Sequence, residues 1–216
     1  MPVIHLVRHG QASFGTDDYD VLSDKGRHQA ALAGRELVRR AARTPVFASG
    51  RLLRQRDSAS IVATEFTSSP VDLLIDDRWN EFDAHLLVGE HLGQTNVGEE
   101  MTSSEFQRHL NEAFIGWIEG SDGSWASFSD GAVEALEDLA ARIPKGCDGI
   151  VATSAGVTAA VVARLLGVPP AGIVALNKAS VNASITTVLA GASGLTLLTF
   201  NDHAHLLGRE GMLTMR

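Results

Sequence analysis

Three residues near the start of the chain have side chains suited to phosphoryl chemistry. Arg8-His9-Gly10 follows directly on the apolar run Val3 to Val7. Arginine presents a planar fork of donors that matches phosphate oxygens. A neutral, oriented imidazole can attack phosphorus. Glycine lets the backbone approach a ligand closely. The tripeptide alone is equally compatible with a strand-end histidine hydrogen-bonded within its loop. Two further segments combine small polar residues and glycine in the same way, Ser49-Gly50-Arg51 and Thr153-Ser154-Ala155-Gly156.

The elements needed to position these residues are legible as two alternating patterns. Short apolar runs read as buried strands at Val3 to Val7, Val46 to Ala48, Val71 to Ile75 and Gly149 to Ala152. Ser184 to Ala190 and Leu195 to Phe200 read as two late strands around a glycine turn. Helical periodicity marks Ser23 to Arg40, with Ser23 as cap, and Leu53 to Phe66. It also marks Ser104 to Gly120, capped by Ser103 or Ser104, then Ser129 to Ile143 and Gly156 to Leu166. Ser121 to Ser127 reads as a turn region, and residues 80 to about 103 as an aperiodic excursion over the sheet edge. Strands alternating with helices predict one α/β domain over residues 1–216, a three-layer α/β/α sandwich with a mostly parallel sheet. Ligands of such sheets bind outside the carboxyl ends of the strands, where all three polar segments fall.

The motifs then extend in order along the chain. Leu6-Val7-Arg8-His9-Gly10, Tyr19 to Ala30 with its Leu-Ser, Gly26 and Gln29-Ala30, and Ala48 to Ala59 with Ser49, Leu52, Arg54, Ser58 and Ala59 resemble the histidine phosphatase superfamily, the phosphoglycerate mutase-like proteins. Trp79-Asn80-Glu81-Phe82 resembles the segment that carries the family's acidic proton donor. The resemblance implies a phosphoglycerate mutase-like fold and a phosphomonoester hydrolase of the phosphatase-type branch. It implies His9 as the nucleophile that becomes phosphohistidine, Arg8 and Arg54 as the grip on the phosphoryl oxygens, and Glu81 as the acid that protonates the leaving alcohol. Gly10, Gln11, Ser13, Ser154, Ala155 and His205 are the expected substrate-contacting positions. Arg51 and Arg56 are expected at the surface.

The chain departs from the family at two places. Active members carry a second histidine in a late turn, and Val151 to Val157 aligns with Ser154 at that position. A hydroxyl donates one hydrogen bond but supplies no imidazolium charge. Helix N–H groups near Gly156 are expected to face the anion. This departure opens an alternative, a phosphate-binding or regulatory module with weakened catalysis. Mutase-type members have Glu and then Asn after His-Gly, where this chain has Gln11 and Gly15, so a phosphoglycerate mutase is the third reading. His85 and His205 are the candidates to replace the missing imidazole. His5 is expected to be structural, and His28 and His109 solvated. Leu86, Leu87, Val88 and Leu92 suggest a partly apolar pocket wall.

Composition excludes some partners. Eighteen Lys and Arg against twenty-six Asp and Glu leave a net charge of −8, so a nucleic-acid partner is not expected. The positive charge an anionic ligand needs must therefore be concentrated locally. Cys147 is the only cysteine, and no Cys/His spacing fits a zinc finger, so a metal-free site without a cofactor is expected. The N-terminus lacks signal-peptide character, and the apolar stretch Val157 to Leu166 is interrupted by Arg164. A cytoplasmic protein acting on a small phosphorylated substrate, with no membrane partner, is the resulting expectation. Oligomeric state is not encoded in any of these features.

Overall fold

The structure, a computed structural model, describes residues 1–13, 20–40, 43–94 and 101–215, without the side chain of Ser103. Six strands form one sheet in the order β3-β2-β4-β1-β5-β6. They are β1 (Val3–Arg8), β2 (Pro45–Ser49), β3 (Leu74–Ile75), β4 (Asp148–Thr153), β5 (Ile185–Gly191) and β6 (Gly194–Asp202). β1 pairs in parallel with β4, β4 with β2, and β2 with β3. β5 runs antiparallel to both β1 and β6, so the sheet is mostly parallel. The glycine turn between the two late strands is Gly191 to Gly194, with Gly194 at φ 102°.

Alternation along the strands separates two cores. Ile4, Leu6 and Val151 point to one face, against Leu136 and Leu139 of α5 (Ser124–Arg142) and Val157 and Val161 of α6 (Ala155–Leu166). Val7, Ile150 and Phe47 point to the other, against Ala33 and Leu37 of α1 (Asp24–Arg39) and Val62 of α2 (Leu53–Thr64). This is the expected three-layer sandwich. β4 is buried at all six residues, as a central strand covered on both faces must be.

A third cluster lies on the outer side of α6. Phe114, Ala159, Ala163, Ile173 and Val174 pack with Phe82, Leu87, Trp117 and Trp125. It is built from α3 (Ala84–Leu92), α4 (Ser103–Glu119), the start of α5, α6 and α7 (Pro170–Ala179), with Phe82 from the segment before α3. The excursion after Asn80 therefore contains a helix that the sequence reading missed. α3 buries only Val88 and Gly89, so its apolar period is weak. Its ends carry local signals, with the Asp83 carboxylate accepting from the His85 and Leu86 N–H groups and Gly93 closing the helix at φ 66°. α7 was missed too, although Pro170 opens it at a position that favours proline.

Other boundaries shift. α4 is capped by Thr102, not by Ser103 or Ser104, through a reciprocal capping box with Glu105. α5 begins at Ser124, inside the expected turn region. β3 shrinks to two residues at the sheet edge. Among the described residues, no helix is long and apolar enough to cross a membrane.

Candidate active site

β1 delivers Arg8 and His9 to the carboxyl end of the sheet. The backbone there is held from three sides. The His9 N–H donates to the Thr153 carbonyl at 2.8 Å. The His9 carbonyl accepts from the Asn182 side chain at 3.3 Å and from the Ala183 N–H at 3.3 Å. Ala183 adopts φ 58°, a left-handed conformation unusual for alanine. The Gly10 N–H donates to Ser58 Oγ on α2 at 3.1 Å. A Cβ on Gly10 would lie 2.1 Å from the Gly26 carbonyl oxygen, so only glycine fits against α1 there.

The His9 ring is 5% exposed at the residue level and has both nitrogens engaged. Nδ1 lies 2.7 Å from the Gly10 carbonyl, and Arg54 Nε lies 3.3 Å from Nε2. A carbonyl only accepts and a guanidinium only donates. The proton therefore sits on Nδ1, and the lone pair is on Nε2, facing Arg54. Burial, then the charges of Arg8 and Arg54, hold this imidazole well below the usual histidine range. It is neutral at pH 7.

Arg54 sits in the first turn of α2, 9% exposed. Its Nη1 pairs with Asp20 Oδ1 at 2.7 Å. The same carboxylate accepts from the Leu53 N–H at 2.7 Å and the Arg54 N–H at 3.4 Å. Asp20 thus caps α2 from outside the helix and holds the guanidinium against His9. The Arg8 guanidinium is also held by backbone carbonyls. Its Nη1 donates to the Ser180 carbonyl and, at 3.1 Å, to the Met215 carbonyl near the C-terminus.

Glu81 reaches the site from a 3-10 turn, Asp77–Trp79. That turn is anchored by buried Trp79, whose carbonyl accepts from Gln55 Nε2 and Thr153 Oγ1, both at 2.8 Å. Glu81 Oε2 accepts from the Gly156 N–H at 3.1 Å, and Oε1 from the Phe82 N–H at 3.3 Å. Burial raises its carboxyl above the usual range, opposed by these two N–H groups and by Arg54 and Arg8. Both arginines act electrostatically on both His9 and Glu81. The four residues therefore form one cluster, although they come from three separate parts of the chain. A Cβ on Gly156 would lie 2.2 Å from Glu81 Oε1 and 2.5 Å from Phe82 Cε1. The α6 N–H expected to face an anionic ligand is thus taken by Glu81.

The remaining candidates divide. Ser154 is fully buried, and its Oγ accepts from Gln55 Nε2 at 2.8 Å. Ala155 opens α6 beside it. The Gln11 side chain accepts from Ser23 Oγ at 3.2 Å and its N–H donates to Gln29 Oε1 at 2.8 Å, so it ties the loop to α1. The Ser13 N–H donates to the Val21 carbonyl at 2.7 Å, and Gly15 lies outside the described residues. His205 does not join the cluster. Its Nε2 lies 3.0 Å from the Ala183 carbonyl, and the charges acting on it are those of Glu36, Asp202 and Arg40. His85 is exposed and packs on Phe106, ring centroids 4.8 Å apart. Val88 is buried beneath α3 and Leu86 is 60% exposed, so these residues do not together form the apolar pocket wall expected. Arg51 and Arg56 are exposed, as expected. Sequence reasoning gave no role to Asp20, Gln55 and Ser58, which lie within the motifs but act on backbone or on other side chains.

The model of the histidine phosphatase superfamily (branch 1) matches residues 4–203. The chain belongs to this superfamily. No curated protein sequence matches it. Solved structures of superfamily-like fold do. A phosphoserine phosphatase mutant from Entamoeba histolytica, in complex with phosphoserine, matches with TM-score 0.67 and 21% identity, covering 96% of this chain and 100% of that one. Mycobacterial glucosyl-3-phosphoglycerate phosphatase matches with TM-score 0.64 and 21% identity over 94% and 99% of the two chains. Phosphoglycerate mutase from Bacillus anthracis str. Sterne matches with TM-score 0.64 and 17% identity over 94% of each. At these identities the likeness is one of fold, and it includes phosphatases and a mutase alike.

Proposed function

We propose that this histidine phosphatase superfamily member hydrolyses small phosphomonoesters through a phosphohistidine at His9. The observation that carries this reading is the protonation pattern of the buried ring, with Nδ1–H on the Gly10 carbonyl and the Nε2 lone pair facing Arg54. In the first step Nε2 forms a bond to phosphorus as the ester P–O bond breaks, and the Glu81 proton passes to the departing alkoxide. In the second, Glu81 takes a proton from water. The water oxygen bonds to phosphorus, the N–P bond breaks and its electron pair returns to Nε2. Arg54, with Arg8 beside it, offsets the charge on the phosphoryl oxygens. The raised carboxyl of Glu81 suits a group that must begin protonated. The named activities of the phosphatase neighbours support a phosphomonoester of a small metabolite as substrate.

The test is a generic aryl phosphate with the wild type and His9→Ala. The wild type turns it over and carries acid-labile phosphate on quenching; the variant does neither. Absence of turnover by the wild type across a broad phosphomonoester panel overturns the proposal. A second reading, a phosphate-binding module with weak catalysis, rests on the alignment of Ser154 with the family's second histidine. Loss of one charged donor costs about 2.7–4 kcal/mol in such sites. Tight vanadate binding without turnover favours it. The mutase reading finds least support, because Gln11 is turned to Ser23.

A further inference from the structure

We propose that His91, His109 and Glu112 form a site for a borderline divalent transition-metal ion, with Zn²⁺ the expected occupant, that clips α3 to α4. His91 lies in the last turn of α3, whose carbonyl end favours a cation. His109 and Glu112 stand three residues apart on α4 and so share one face. One ligand atom from each of the three lies within 4.8 Å of the others. Glu112 Oε2 is central, 3.7 Å from His91 Nε2 and 3.5 Å from His109 Nδ1. Both distances are too long for a hydrogen bond. They are close to the ~3.4 Å that separates ligand atoms around a tetrahedral zinc with bonds of about 2.0–2.1 Å.

The buried Nδ1 of His109 supplies an independent sign. It has no hydrogen-bond partner, although its ring is the least exposed of the three side chains. A buried polar atom left in this way costs free energy unless something binds it. Two imidazole nitrogens and one carboxylate match Zn²⁺, Co²⁺ or Ni²⁺, whereas Mg²⁺ and Ca²⁺ favour all-oxygen sets. Water would complete the coordination on the exposed side. Arg108 is the competitor. Its Nη2 lies 3.2 Å from His109 Nε2 and its Nη1 lies 4.0 Å from Glu112 Oε1. Metal binding needs the lone pair on Nδ1 and the proton on Nε2, so Arg108 must swing away. Its side chain is 61% exposed and free to do so.

The site stands apart from His9 and does not depend on the proposed reaction. It was illegible in the sequence because its ligands come from two helices, one of which was not recognised.

Titration of the untagged full chain with Co²⁺ at neutral pH tests it. The expected result is one equivalent bound, with the visible absorption of a low-coordinate Co²⁺ centre, displaced by Zn²⁺. His91→Ala and His109→Ala should each weaken binding by at least about tenfold. Arg108→Gln should tighten it, and exposed His28→Ala on α1 should leave it unchanged. All these side chains lie at least partly at the surface, and circular dichroism will show whether the variants remain folded. Failure of Co²⁺ to bind below millimolar concentration overturns the proposal. So does a His91→Ala, His109→Ala double variant that keeps the spectrum and affinity.

Discussion

At the scale of residues, the His9–Arg54 contact and the Asp20 carboxylate behind it organise the proposed site. His9 is held below its usual range and Glu81 above it, and the proposed reaction starts from neutral imidazole with a protonated carboxyl. The profile of kcat/KM is expected to be a bell, with His9 setting its acid limb and Glu81 its alkaline limb. Its acid limb falls below pH 6.5 as His9 protonates, and its alkaline limb falls above the ordinary carboxyl range as Glu81 ionises. Glu81→Gln should lower kcat by ~10²–10⁴-fold for an ester with a poor leaving group and flatten the alkaline limb. A profile in Glu81→Gln identical in shape to the wild type would count against this role. Asp20→Asn keeps an oxygen for the Leu53 N–H but removes the charge that orients Arg54. About a tenfold loss of kcat/KM is expected, the size of one charge-assisted hydrogen bond, with both limbs unmoved. A shifted limb would mean that Asp20 acts on His9 or Glu81 instead.

At the scale of elements, β1, α2 and α6 converge because glycines let their ends approach. Gly156 leaves no room for a Cβ beside Glu81 and Phe82. Gly156→Ala should therefore push Glu81 off its N–H partner. Overpacking predicts a stability loss of about 1–3 kcal/mol by chemical denaturation, with a drop in kcat larger than that in Gly116→Ala. Gly116 is exposed on α4 and has open space around it, so its change serves as the reference. Equal kcat in the two variants would show that the α6 N-terminus does not place Glu81. Helices α3 and α7 belong to the outer cluster around Phe114, on the far side of α6 from the sheet. Each is short and buries only two residues, Val88 and Gly89 on α3 and Ile173 and Val174 on α7, which explains why periodicity did not reveal them.

At the scale of the whole molecule, buried His5 and His9 and half-buried His205 set the response to acid. His5 is lowered to about 4 by burial, and His9 and His205 are lowered chiefly by burial too. Each protonates more easily in the unfolded chain. Their contribution to stability is present above pH 6.5 and is lost as pH falls toward the folded values, by up to about 1.4 kcal/mol per pH unit for each. Glu81, raised in the folded state, works in the opposite sense and offsets part of this. Urea unfolding should show a lower free energy at pH 5 than at pH 7, before the strongly paired carboxylates such as Glu36, lowered to about 2, begin to titrate. Equal stability at the two values would mean that these rings accept protons without unfolding.

The sequence by itself determined the alternation of strands and helices and the three polar segments at the strand ends, and its resemblance to the superfamily implied His9, Arg54 and Glu81 as a set. These are local signals, carried by apolar period and by motif spacing. The −8 net charge placed one demand on the fold, that positive charge gather where an anion binds. The tertiary structure decided how that demand is met. It paired Arg54 with Asp20, turned Arg8 toward the Ser180 and Met215 carbonyls, and gave the α6 N-terminus to Glu81. It also separated His205 from the cluster and brought His91 to His109 and Glu112. None of these pairings follows from a local pattern. Each depends on which strand end or helix face another part of the chain reaches, and packing of the whole chain sets that.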